Sequence, residues 1–214
     1  MMNQWTSETH ALGYLERADK IPHRTEGEAV LLDRVPKTVR RILDLGTGSG
    51  RLLSLLKIER PQADSVALDF SPTMLKTVRQ TFADDPTVQV IDHNLEAPLP
   101  NLGQFDAVVS SFAIHHLAHD RKRSLYGEIF NCLEPGGIFC NLEHVDSPTS
   151  RLHDQFLVAI GVSPENDDPS NILLDVESQL RWLRQLGFTD VDCYWKWLEL
   201  ALLIGIKPEL WKRL

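Results

Sequence analysis

Arg41-Ile42-Leu43-Asp44-Leu45-Gly46-Thr47-Gly48-Ser49-Gly50, followed by Arg51-Leu52-Leu53-Ser54-Leu55-Leu56-Lys57-Ile58-Glu59-Arg60-Pro61, decides how this chain is read. A short apolar run gives way to a loop with glycine at positions 46, 48 and 50. The residues after it carry apolar side chains at helical spacing until Pro61 stops them. Strand, glycine turn, helix is the reading. Glycines in such a turn let a ligand approach the backbone closely, and the helix beyond offers N–H groups without intrahelical partners.

The same alternation repeats outward from that loop. Residues 65–69 read as a strand, and Ser71-Pro72 opens a helix with serine as N-cap and proline at the first helical position. Residues 87–91 and 105–111 read as two more strands. Residues 121–133 read as a helix closed by Pro135-Gly136-Gly137, and residues 138–143 as a fifth strand. Upstream, residues 26–34 look like a helix that ends before Pro36. Downstream, a polar loop at 166–170 precedes an amphipathic helix at 176–186 that ends at Gly187. Two further apolar runs, 188–195 and 198–206, are separated by almost nothing, which allows only antiparallel pairing between them. Apolar runs unrelieved by polar alternation mean strands buried on both faces. The fold class is therefore α/β: a doubly wound, mostly parallel sheet with helices on both faces and an antiparallel edge.

Composition narrows the function classes. The 214 residues suit one domain, here read as 1–214, with 43% apolar residues. Thirty acidic against 22 basic residues give a net charge of −8, with no basic face in evidence, so nucleic acid is not an expected partner. Cys132, Cys140 and Cys193 form no Cys-x-x-Cys pair and read as buried thiols. The N-terminal residues are polar throughout and lack the apolar run of a signal peptide. The apolar stretch 198–206 is too short to span a bilayer and contains Glu199. The expectation is a cytoplasmic protein with no membrane partner, as a monomer or a homodimer.

The loop also discriminates between nucleotides. A dinucleotide fingerprint needs glycine at position 51, where this chain has Arg51. Asp44, ahead of Gly46, is awkward beside a pyrophosphate but suits a ligand with an ammonium group. Asp69, closing the second strand, stands where a carboxylate meets the vicinal hydroxyls of a ribose, and Phe70 beside it is placed to cover an adenine face. An amino-acid-bearing nucleoside is favoured over a nicotinamide dinucleotide.

On these residues the chain resembles the class I S-adenosylmethionine-dependent methyltransferases, over about residues 24–207. The loop from Asp44 through Gly46, Thr47, Gly48 and Gly50 resembles the family's first motif, and residues 66–75 resemble its second. Asn94-Leu95 followed by Leu99-Pro100 resembles the adenine-contacting loop, and residues 133–139 the turn into the fifth strand. The family usually has Asp where Asn94 stands; an amide oxygen can still accept from the adenine amino group. The resemblance implies the sheet order 3-2-1-4-5-7-6, with S-adenosyl-L-methionine lying across the ends of strands 1, 2 and 4 and S-adenosyl-L-homocysteine as product. Ser110 and Ser111 would flank its methionine part. Residues 1–35 would be lid helices, with Tyr14 and Arg24 closing over that part and Arg24 meeting its carboxylate. Residues 147–175 would be a substrate-side insertion.

Methyl transfer from a sulfonium needs alignment above all, and a base only when the acceptor must lose a proton. The candidates are His115 and His116, which follow the fourth strand, and His144 at the end of the fifth. His115, His116, His119, His144 and His153 fit no metal-ligand spacing, so no metal is predicted. Phe156, Trp182, Tyr194, Trp195 and Trp197 suit an acceptor pocket or, more simply, the core. Glu199 and Lys196 are expected to be solvated. The function so read is methyl transfer to a small-molecule acceptor. Its rivals are a cofactor-carboxylating enzyme of the same fold using Arg151 or Arg181, a nicotinamide dehydrogenase, and a non-catalytic cofactor-binding regulator.

Overall fold

The computed structural model describes residues 7–9, 11–13 and 21–209; Tyr14 and most of the expected lid lie outside them. In chain order the elements are α1 (Arg24–Arg34), β1 (Arg41–Leu45), α2 (Arg51–Glu59), β2 (Asp64–Asp69), α3 (Pro72–Thr81), β3 (Val88–Asp92) and β4 (Phe105–Ser111). After β4 come a 3-10 turn (Ile114–His116), α4 (His119–Cys132), β5 (Leu133–His144) and α5 (Ser150–Ala159). A second 3-10 turn (Pro164–Asn166), α6 (Val176–Leu186), β6 (Thr189–Trp197) and β7 (Leu200–Ile206) complete them.

The strands form one seven-stranded sheet in the order β3-β2-β1-β4-β5-β7-β6. All pairings from β3 through β5 are parallel, whereas β7 runs antiparallel to both β5 and β6. The reversed strand is thus β7, one place in from the edge, and β6 closes the sheet. β5 starts earlier than its sequence suggests. Leu133 already pairs with Phe105, the Gly136 N–H donates to the Lys207 carbonyl and the Lys207 N–H to the Gly137 carbonyl, so the Pro-Gly-Gly segment is absorbed into the sheet as an irregularity.

Alternation along the strands feeds two cores. Leu43 and Leu45 of β1 and Val108 of β4 face one side, where Leu125, Tyr126 and Ile129 of α4 and Leu180 and Leu183 of α6 cover them. Ile42, Ala107 and Val109 face the other, under Leu31 of α1, Leu52 and Leu56 of α2, and Phe156 and Leu157 of α5. Burying each such aliphatic side chain contributes about 1.5–3 kcal/mol, which is why strands with apolar residues on both faces stay between two helical layers. The aromatics divide accordingly. Phe156 is buried in the second core, Tyr194, Trp195 and Trp197 pack against it, and Trp182 packs against the first.

The glycine loop has two kinds of glycine. A Cβ on Gly46 (φ 66°) would stand 2.2 Å from the Cβ of Ala113, and one on Gly50 (φ 86°) 2.8 Å from the Phe82 ring. At Gly48 (φ 56°) a Cβ would meet nothing within 4 Å. Gly46 and Gly50 therefore serve close packing, whereas Gly48 faces open space. Replacing Gly46 by Ala is expected to destabilise by about 2–4 kcal/mol, overpacking adding to the strain of a left-handed residue. In that background Ala113→Gly should recover the steric part and leave about 1–2 kcal/mol of backbone strain. Chemical denaturation of the three variants measures both; full recovery, or none, would refute the division.

Candidate functional site

A cavity of about 280 Å³ opens at the C-terminal ends of β1, β2 and β4, where the strand order reverses. Of the sequence candidates, Arg24, Asp44, Gly46, Thr47, Gly48, Asp69, Phe70, Asn94, Leu95, Ser111 and His116 all line it. Gly50 does not: it is the left-handed N-cap of α2, packed against Val78 and Phe82. Ser110 does not either, because its side chain is fully buried and its hydroxyl donates to the Leu45 carbonyl at 2.9 Å. Alternation along β4 turns Ser110 into the sheet and Ser111 to the cavity.

Two carboxylates organise the floor. Asp69 Oδ2 accepts the Gly48 N–H and Oδ1 the Ser71 N–H, both at 2.8 Å, so one side chain ties the glycine loop to the start of α3. Burial raises its pKa above the ordinary aspartate value, against these N–H bonds. Asp44 accepts from the Thr47 hydroxyl at 2.6 Å. Burial raises its carboxyl to about 7, the Thr47 bond working against that and the Asp69 charge adding to it.

Arg24 and Arg51 of the wall are held by a residue the sequence reading overlooked. Glu28 of α1 accepts from Arg24 Nε at 2.9 Å and, in bidentate fashion, from Arg51 Nε and Nη2, each at 2.8 Å. Arg24 also lies over the Phe112 ring at 5.1 Å, and Phe112 itself has φ 53°, a left-handed conformation for a bulky residue at the cavity edge. The i, i+4 spacing of Arg24 and Glu28 was a readable signal; the contact with Arg51 was not, since it joins two helices. Met74, His93 and Leu117 also line the cavity. His93 Nε2 and Ser111 Oγ are buried without partners. Unsatisfied polar atoms at a cavity wall are what a polar ligand would complete.

The three candidate histidines separate. His116 stands at the cavity wall, its Nδ1 near the Ser170 hydroxyl at 3.1 Å, and burial lowers its pKa to about 3. His115 lies behind it, ring centroids 3.9 Å apart, with Nδ1 2.6 Å from Glu143 Oε1. His144 turns away to Glu199, 2.9 Å from Nε2. Glu199, expected in solvent, is fully buried and also meets His153 at 3.1 Å, because the β6–β7 connection folds over the end of β5 and against α5. Lys196 is exposed, as are Arg151 and Arg181, neither of which lines the cavity. Among the described residues, no group of three or more His, Cys, Asp or Glu side chains is arranged to hold a metal ion.

Comparison with known proteins agrees with this geometry. Residues 42–137 match a family model described as "Methyltransferase domain". Demethylmenaquinone methyltransferase of Clavibacter sepedonicus is 31% identical over 173 residues, 73% of this chain and 69% of that protein. The enzyme of the same name from Thermus thermophilus is 39% identical, over 55% of this chain and 51% of its own, so this chain spans about half the length of that relative. Carboxy-S-adenosyl-L-methionine synthase of Desulforapulum autotrophicum is 27% identical, over 78% of this chain and 75% of its own. Among solved structures, an O-methyltransferase family protein from Burkholderia thailandensis superposes with a TM-score of 0.72 at 18% identity, covering 96% of this chain and 62% of that one, and shows the shared fold. Sheet order, glycine loop and sequence similarity together make the chain a member of the class I S-adenosylmethionine-dependent methyltransferase family.

Proposed function

We propose that this chain transfers a methyl group from S-adenosylmethionine to a small-molecule acceptor. The observation that carries the reading is the cavity at the switch point, whose floor and wall offer opposite charges to the two ends of an amino acid. Buried Asp44 suits the ammonium group, and the Arg24 and Arg51 guanidiniums at the wall, oriented by Glu28, suit a carboxylate. Asp69 suits the ribose hydroxyls, with Phe70, Met74 and Leu95 around an adenine and Asn94 at its edge. Asn94 Oδ1 accepts the Glu96 N–H, which fixes the loop's shape.

S-adenosylmethionine supplies a methyl group already activated as a sulfonium, so the chain's residues need only align the acceptor and keep water out. His116, neutral at physiological pH, suits a hydrogen bond that orients the acceptor rather than strong base catalysis. Residues 147–175 contain α5 and reach the histidine turn, where the Ile172 N–H donates to the His115 carbonyl at 3.0 Å. This supports their role as the substrate-side insertion. Two relatives are named for demethylmenaquinone, which favours a small organic acceptor over a macromolecule. Cofactor carboxylation is the less favoured reading, because Arg151 and Arg181, the arginines considered for it, are exposed and do not line the cavity. No helix of the described residues is long and apolar enough to cross a membrane, and all three cysteines are free thiols; both fit a cytoplasmic setting.

Calorimetric titration with S-adenosylmethionine, S-adenosylhomocysteine and NAD should show micromolar binding of the first two and none of the third. Asp69→Ala should weaken that binding at least ~10-fold, since hydrogen bonds to a charged group contribute about 1.5–3 kcal/mol. Binding of NAD alone would overturn the reading.

The Asp44 titration gives a second expectation. An ammonium group selects the ionised carboxylate, so S-adenosylmethionine affinity should rise as pH increases from about 6 to about 8, with proton release on binding below about pH 7. Asp44→Asn should abolish the proton release. Calorimetry in two buffers of different ionisation enthalpy measures it; release that persists in the variant would exclude Asp44 as its source.

A further inference from the structure

Glu143 closes the buried end of β5, fully inaccessible, one residue before His144. Its Oε1 receives two contacts: the His144 backbone N–H at 2.9 Å and His115 Nδ1 at 2.6 Å. Its Oε2 is buried with no hydrogen-bond partner among the described residues. His115 is equally well buried, and its other ring nitrogen, Nε2, makes no hydrogen bond with the described residues. The pair is held on both sides. Lys122 of α4, itself buried, donates to the carbonyls of His115, Leu117 and Ile172 and pins the turn that carries His115. The His116 ring packs on one face of His115 and the His144 ring meets it edge-on at 5.6 Å.

A hydrogen bond this short between a carboxyl and an imidazole nitrogen admits one proton in either of two places. With Glu143 ionised, Nδ1–H donates to Oε1 and Nε2 carries a lone pair. With Glu143 protonated, its O–H donates to Nδ1 and Nε2 carries the hydrogen. The imidazole is neutral in both. We propose that Glu143 is a positioning residue that sets which nitrogen of His115 carries the proton, so that the pair takes up one proton at Nε2 while the Nδ1 proton moves to Oε1. This rests on the methyltransferase reading for its use: the pair stands directly behind His116, which lines the cavity, so its proton uptake sets the charge behind that wall, and no charged imidazolium forms in the buried site.

Electrostatics agree with the geometry. Burial, reinforced by the charges of His144 and Lys122 and opposed by Asp168, keeps the His115 pKa well below its ordinary value. Burial raises Glu143 to about 7, with the His144 N–H and the charges of Lys122, His116 and His144 working the other way. Glu199 lies beyond His144 and completes the charged groups around the pair. Burial thus raises the proton affinity of the carboxyl and lowers that of the ring, which favours a neutral imidazole in the pair.

Nitrogen-15 NMR of histidine-labelled protein reads the tautomer directly, with His115 assigned by its loss in His115→Asn. Between about pH 5.5 and about pH 8.5, His115 should pass from the Nε2–H to the Nδ1–H tautomer without an imidazolium signal, the midpoint lying near neutrality. Glu143→Gln should lock one tautomer across the whole range. A wild-type His115 that keeps one tautomer throughout, or that titrates as an ordinary imidazolium, overturns the proposal, as does a switch that survives in Glu143→Gln. The wild-type titration decides the matter even if the variant fails to fold. S-adenosylhomocysteine titrated into the same wild-type sample separates the two readings. Failure to bind it sinks the methyltransferase reading and leaves the tautomer result standing, whereas a fixed tautomer with binding intact sinks the proton pair alone.

Discussion

The side chain of Asp69 is the joint on which the site depends. It stands at the end of β2, yet its two oxygens hold the N–H of Gly48, in the loop after β1, and the N–H of Ser71, where α3 begins. A backbone bond from Thr47 to the Leu68 carbonyl runs alongside at 2.9 Å. Two parallel strands are thereby locked at their C-terminal ends, where the glycine loop would otherwise be loose. The carboxylate is held at a cost, since burial disfavours its charge. A donor such as a ligand hydroxyl would relieve that cost, so the same group both shapes the loop and draws a ligand to it.

Charge is arranged along the cavity in the same economical way. Glu28 joins α1 to the start of α2 through Arg51 and holds Arg24 of its own helix, and α1 itself packs where Gly27 lies close to Leu142 and Trp195. A buried ion pair of this kind is weak evidence for stability, because desolvation offsets much of the attraction. Its clearer consequence is orientation: the guanidiniums of Arg24 and Arg51 are fixed at the wall opposite Asp44. On the acceptor side, Lys122 does the corresponding work, gathering three carbonyls so that the histidine turn and the segment before α6 move as one.

The strands of the sheet were legible in the chain because apolar runs bounded by glycine and proline report strands buried on both faces, whereas their order came only with the family resemblance. The near-absence of a linker between the last two runs reported an antiparallel hairpin. Helix 176–186 was readable to the residue, since Gly187 takes the left-handed conformation (φ 104°) that ends it. The start of β5 was not, because Pro135-Gly136-Gly137 signals a turn locally and only pairing with the segment around Lys207 draws it into the sheet. Many residues lining the cavity were legible for a related reason: strand ends and glycine loops mark the switch point in sequence. Ser110 and Gly50 show the limit of that reasoning, as neighbours of wall residues that alternation and packing turn elsewhere.

What the sequence determined by itself was therefore periodic or local: the α/β class, the glycine loop, Asp44 and Asp69, and the exclusion of a dinucleotide fingerprint by Arg51. What only the tertiary structure decided were the pairings between side chains far apart in the chain. His115 with Glu143, His144 with Glu199, and Glu28 with Arg51 lie 28, 55 and 23 residues apart. No spacing rule encodes them, because each arises where two elements cross. Glu199 makes the point most sharply: as a charged residue in a hairpin turn it reads as solvated, and only the fold of that turn against β5 and α5 buries it and gives it two histidines.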